Sequence, residues 1–142
     1  MAIALTACAG GLVAMQAPIN SKLGKAAGTF AAASISFLIG TAILVAITAL
    51  SGKGVNFSAA SKLPWYYFLG GALGAAYVTT VLVSVRTLGA GGVTAATIAG
   101  QLSTAVVLDR FGAFGLPEKQ VSFARVAGVA LLAAGVFLIV RE

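Results

Sequence analysis

Five long apolar runs constrain this chain more than any motif in it. A membrane crossing takes about 20 mostly apolar residues, each advancing the helix by about 1.5 Å. Runs of that size lie at about Ala2–Ile19, Thr29–Leu50, Pro64–Val85, Gly91–Leu108 and Val121–Val140. The first is closed by Pro18, Asn20 and an expected Ser21-Lys22 turn, and the second by the Gly/Lys/Asn-bearing linker from Ser51 to Ser61. Arg86, Asp109-Arg110 and Arg141 stop the other three. Pro64 and Pro117 stand just ahead of a run, where a missing N–H costs least. Trp65, Tyr66 and Tyr67 cluster at the mouth of the third run, as an interfacial aromatic belt does.

Only 8% of the 142 residues are charged and 60% are hydrophobic, against about 25% charged in an ordinary soluble domain. Such a chain cannot cover a water-facing surface. The expected fold is an all-α integral membrane protein, with residues 1–142 forming a single five-helix membrane domain. Met1–Ile19 has no basic region ahead of its apolar run, so it reads as the first membrane helix and not as a signal peptide.

The formal charge of +6 belongs to lysines and arginines at helix ends, where they contact lipid headgroups and set topology. No basic cluster is interleaved with exposed aromatics, so nucleic acid is not an expected partner. Five crossings put the termini on opposite faces. The N-terminal face carries Lys53, Lys62, Arg110, Lys119 and Arg125; the other carries Lys22, Lys25, Arg86 and Arg141. Orientation follows an excess of positive charge on one side, and here the two sides nearly balance. The same polypeptide is therefore expected to insert both ways and to pair with an antiparallel second copy, or with a homologous partner of opposite orientation. A five-helix unit meeting an inverted copy is the building block of an inverted-repeat transporter.

Catalytic chemistry has little to work with. Cys8 is the only cysteine and histidine is missing, which removes an intramolecular disulfide and a Cys/His metal site. The acids are Asp109, Glu118 and Glu142. No nucleophile–base pair, phosphate loop or zinc motif occurs, so neither enzymatic activity nor a cofactor is expected.

Polar residues instead form stripes. Thr94, Thr97, Gln101 and Thr104 share a face of the fourth run by their three- and four-residue spacing. Tyr77, Thr80 and Ser84 do the same in the third, Ser34, Thr41 and Thr48 recur in the second, and Gln16 and Asn20 lie four apart in the first. Threonine and serine can bond to the carbonyl of the preceding turn. A glutamine at mid-span cannot do so as neatly, and an unpaired amide in hydrocarbon costs a few kcal/mol. Gln16, Tyr77, Thr97 and Gln101 are accordingly the candidate substrate-binding residues. The amides and Thr97 would hydrogen-bond, and Tyr77 would offer a ring face and a phenol. Gly70, Gly74, Gly92 and Gly100 are candidate packing positions, since small residues let helices approach where lipid supplies no hydrophobic drive. Asp109 lies at the end of its run, next to Arg110 and within loop reach of Arg125. Its expected role is architectural: it pairs with an arginine or accepts N–H bonds from the Phe111–Phe114 turn.

Gly100-Gln101-Leu102, followed by Asp109-Arg110-Phe111-Gly112 and Phe114-Gly115, resembles the GQL…D-x-F-G-x-F-G signature of the YdcZ-like branch of the drug/metabolite transporter superfamily. Gly10-Gly11, Gln16-Ala17-Pro18-Ile19-Asn20 and Leu23-Gly24 resemble the first helix of that branch, and Gly70-Gly71, Gly74 and Tyr77-Val78 its third. The resemblance covers nearly the whole chain. It implies half of a ten-helix transporter in a bacterial inner membrane, completed by a second unit, with helices one to four lining a cavity. It also implies structural roles for Asp109, Gly112 and Gly115 at the end of the fourth helix. The small multidrug-resistance relatives bind cations and protons through a glutamate in helix one; here the comparable residue is Gln16, which suits neutral, zwitterionic or hydrogen-bonding solutes. The expected function is small-molecule transport by a dimer through alternating access. The alternative is a non-transporting membrane subunit that partners another membrane protein.

Overall fold

The structure, a computed structural model, describes residues 1–52 and 54–141; Lys53 and Glu142, counted above among the charges, lie outside them. All regular structure in the described residues is helical. The α-helices are α1 (Ala2–Ala27), α2 (Thr29–Leu50), the short α3 (Phe57–Ala60), α4 (Gly70–Phe111) and α5 (Phe123–Val140), with 3₁₀ turns at Trp65–Leu69 and Ala113–Gly115. Among the described residues, four helical stretches are long and apolar enough to cross a membrane: Ala2–Ala27, Thr29–Leu50, Trp65–Phe111 and Phe123–Val140. The chain forms two compact units, Met1–Arg86 and Thr87–Glu142.

In the first unit the chain does not turn at Ser21-Lys22, as Pro18 and Asn20 had suggested. Instead α1 runs through Pro18 to Ala27. A proline inside a membrane helix loses one backbone bond, but neighbouring helices and local adjustments tolerate it. The helix ends at Gly28, whose φ of 95° favours a residue without Cβ. The Gly28 N–H donates to Gly24 O at 3.0 Å, and Gly28 O accepts from the Ala32 N–H at 3.0 Å. One residue thus closes α1 and opens α2.

Small side chains explain how these helices meet. The buried residues of α1 are Ala17, Asn20, Ser21 and Gly24, a three-one-three spacing that places them on one face. On α2 the buried residues are Ala32 and Ala33, and the two helices pack together. The first part of α4 joins them. Leu82 is fully buried, and its Cδ2 lies 2.9 Å from where a Cβ on Gly24 would stand. Phe37 of α2 likewise lies 3.4 Å from a Cβ built on Gly74. Large apolar residues such as Leu12, Leu38, Leu44 and Leu73 remain exposed. That arrangement suits hydrocarbon surroundings, where lipid tails solvate leucine as well as another helix does.

Helix α4 carries an interruption at Gly89, with φ 67° and ψ 172°. The apolar stretch Trp65–Phe111 has 47 residues, about 70 Å if it were straight and more than twice the hydrocarbon thickness. Arg86, the expected stop, is still helical; the geometry breaks at Gly89, where the missing Cβ removes the clash that such angles bring. In the second unit α4 approaches α5: Val140 Cγ2 is 3.5 Å from a Cβ built on Gly92.

Candidate functional site in the first membrane unit

The first unit holds a narrow cleft between α1 and the first part of α4. Val13, Gln16, Ala17 and Asn20 line it from one side, and Tyr77, Val78, Val81 and Leu82 from the other. Its free volume is about 10 Å³, room for roughly one water, so a solute needs the helices to part. The structure thus brings Gln16 and Tyr77 to one cleft. Tyr77 is half-buried and Gln16 exposed, and neither side chain finds a hydrogen-bond partner among the described residues.

Asn20 is the polar residue most firmly held at this cleft. It is only 6% exposed, and its Oδ1 accepts a hydrogen bond from the Ser36 hydroxyl of α2 at 2.6 Å. Sequence spacing had set Asn20 beside Gln16 without marking it as a site residue, and Ser36 had not been singled out. The four-residue interval from Gln16 to Asn20 was the one available signal. At the end of α1, Arg86 donates to Thr29 Oγ1 at 3.3 Å, with the same guanidinium nitrogen 3.0 Å from a Cβ built on Gly24. Arg86 therefore lies over the α1–α2 connection, which Lys22 and Lys25 precede in the chain.

Thr97 and Gln101 belong to the second unit. Thr97 is half-buried and Gln101 exposed. The Gln101 amide has no hydrogen-bond partner among the described residues. Several other hydroxyls do bond within their own helix: Thr6 to Ala2 O at 2.9 Å, Thr48 to Leu44 O at 2.8 Å and Ser103 to Ala99 O at 2.8 Å. Gly100, one residue from Gln101, has nothing within 4 Å of a built Cβ, and the same is true of Gly70 in the first unit.

The end of α4 is a clasp. Asp109 Oδ2 accepts from Arg125 Nη1 at 3.0 Å and lies 3.8 Å from Lys119 Nζ. The Asp109 carbonyl accepts from the Lys119 N–H at 2.8 Å. Between these anchors the backbone turns left-handed at Gly112, Phe114 and Gly115, with φ of 58°, 58° and 81°. A Cβ on Gly112 would stand 2.7 Å from Glu118 Cγ and 3.1 Å from Leu116 O, so glycine is needed there for both angle and space. Phe114 holds a left-handed angle with a full side chain, at a cost of about 1–2 kcal/mol. Arg110, Glu118, Lys119, Gln120 and Val121 line a polar hollow beside the clasp. No group of three or more metal-ligating side chains occurs among the described residues.

The geometry is that of apolar helices with polar side chains inside their spans and charge confined to their ends. Residues 1–138 match the family model described as "Putative inner membrane exporter, YdcZ". Neither the curated proteins nor the solved structures include a match to the chain. The family match covers nearly the whole sequence and agrees with helices long and apolar enough for several crossings: the chain belongs to the YdcZ family of inner-membrane exporters and is a multi-pass transporter-class protein of that membrane.

Proposed function

We propose that two copies of this chain, inserted antiparallel, form one pathway for a small metabolite or drug and work by alternating access. The observation that carries this reading is the Gln101 amide. It sits well inside an apolar helix, is exposed on this protomer, and has no described partner. In hydrocarbon such a group costs a few kcal/mol unless something meets it. A second protomer, a wet cavity or a solute supplies what the second unit by itself lacks.

Three further features support the reading. The interruption at Gly89 divides the 47-residue apolar stretch into two pieces, each about one bilayer long, which brings the crossings to five. Five crossings with nearly balanced positive charge suit insertion in both orientations. Gly70 and Gly100, open on this protomer, leave room for close approach by another helix. In this scheme Gln16, Thr97 and Gln101 hydrogen-bond the solute and Tyr77 contacts it through its ring. Gly92 packs α4 on α5, and Asp109 with the Gly112–Gly115 turn closes the end of α4. With Gln16 in place of a helix-one carboxylate, the pathway favours neutral, zwitterionic or hydrogen-bonding solutes over proton-for-cation exchange. Gln101→Ala is expected to abolish transport while the dimer persists by cross-linking. Full transport by a well-expressed Gln101→Ala protein refutes the role.

A further inference from the structure

We propose that Asn20 is a hydrogen-bond donor to the transported solute, and that the solute presents a carboxylate or similar anionic acceptor to it. This rests on the transport reading above and picks out, among its hydrogen-bonding solutes, those that carry an anionic acceptor.

The Asn20 side chain is keyed. Its Oδ1 accepts from the Ser36 hydroxyl at 2.6 Å, and in this arrangement the Nδ2 hydrogens point elsewhere. No described residue accepts from them. Yet no fully enclosed side-chain nitrogen or oxygen lacks a partner among the described residues. The Nδ2 group therefore keeps accessible surface although the residue is 6% exposed, and Asn20 lines the cleft with Gln16 and Tyr77, where a solute could meet that surface. A nearly buried amide with its acceptor occupied and its donors free is a site for an acceptor.

The distribution of charge says which acceptor. The acids of the chain, Asp109, Glu118 and Glu142, all fall in the second unit. There Asp109 is already engaged by Arg125 and Lys119. The first unit carries Lys22, Lys25, Lys53, Lys62 and Arg86 and no carboxylate. Lys22 follows Asn20 by two residues and Lys25 by five; Arg86 lies against Gly24, four residues beyond Asn20, and donates to Thr29 at the start of α2. Positive charge beside low-dielectric walls raises the local concentration of anions, and Lys22, Lys25 and Arg86 are the cations at this end of α1. An anion meets both the field and the free donors, a neutral acceptor meets the donors alone, and a cation is disfavoured by both.

The test uses three probes that share one ring: benzoate, benzamide and benzamidinium. Binding to the purified full-length protein in lipid nanodiscs is measured by thermal shift and calorimetry, and flux of each is measured in proteoliposomes. The expected order is benzoate, then benzamide, then benzamidinium. Asn20→Asp replaces the donor with an acceptor and is expected to weaken benzoate about tenfold or more and to reverse the order. Ser36→Ala, which unlocks the amide, should weaken benzoate severalfold without reversing it. If Asn20→Asp does not yield monodisperse protein, Asn20→Ser serves instead and must lower the benzoate-to-benzamidinium ratio. Equal or absent binding of the three, tighter binding of benzamidinium, or an order unchanged by the Asn20 variants overturns the proposal. Flux in the wrong order overturns it with the transport reading intact. Ordered binding without flux of any probe overturns the transport reading, and with it the claim that Asn20 meets a transported solute.

Discussion

Removing the Asp109 carboxylate tests whether the end of α4 is held by one ion pair or by a diffuse cluster. Asp109 Oδ2 stands 3.0 Å from Arg125 Nη1, with the two side chains 26% and 31% exposed. Lys119 Nζ is 3.8 Å away on a side chain that is 52% exposed. An exposed pair contributes about 0–1 kcal/mol, and a hydrogen bond to a charged group about 1.5–3 kcal/mol. The Asp109–Arg125 pair lies between these cases, so its coupling should be about 1–2 kcal/mol. The longer and wetter Lys119 contact should couple by about 0.5 kcal/mol or less. The Lys119 N–H bond to the Asp109 carbonyl, 2.8 Å long, survives side-chain truncation, so Asp109→Ala should loosen the turn without unfolding it. The assay is a pair of double-mutant cycles, Asp109→Ala with Arg125→Ala and Asp109→Ala with Lys119→Ala, followed by circular dichroism during unfolding in mixed micelles. A Lys119 coupling equal to or larger than that of Arg125, or no coupling at either, refutes the clasp.

Three substitutions follow from the packing around glycines, and one outcome from the balance of positive charge. Gly24→Val should destabilise the protein by about 1–3 kcal/mol, because its Cβ meets the buried Leu82 at 2.9 Å and the Arg86 guanidinium at 3.0 Å. Gly10→Ala, with nothing within 4 Å, should be neutral or stabilising by up to about 1 kcal/mol; parallel unfolding curves compare the two. Gly112→Ala should cost about 2 kcal/mol or more, adding left-handed strain to a 2.7 Å approach to Glu118 Cγ, and thermal melts in detergent read the loss. A C-terminal reporter fusion should be active on both faces of the membrane when the chain is expressed alone; activity on one face only contradicts insertion in both orientations.

Helical, membrane-embedded character was legible in the sequence because charge is so scarce that only lipid can solvate the runs between Lys22, Arg86, Arg110 and Arg141. The family was legible in Gly100-Gln101-Leu102 and the Asp109–Gly115 turn, since glycine is required at left-handed positions such as Gly112 and Gly115 wherever the chain must reverse there. Helix ends were less legible. Pro18 and Asn20 look like a terminator in sequence, but packing against α2 keeps α1 helical to Ala27. Between Val85 and Gly91 the eye falls on Arg86, while the backbone changes at Gly89. The cleft was legible only in part. Gln16 and Tyr77 stand out as polar groups in apolar runs, whereas the Asn20–Ser36 bond joins residues 16 apart on two helices, and no periodicity within either helix announces it. Asp109 had two arginines in reach by sequence. Arg110, next along the same helix, points about 100° away, and Arg125 comes back from α5 to make the bond.

Solute flux through the purified protein alone tests the central claim most directly. Wild-type protein reconstituted into liposomes should carry a solute that its own thermal shift identifies as a ligand. The flux should saturate with concentration and be lost in Gln101→Ala vesicles with equal protein content. Ligand-stabilised wild-type protein that moves no solute, or Gln101→Ala vesicles that transport at the wild-type rate, would contradict the account.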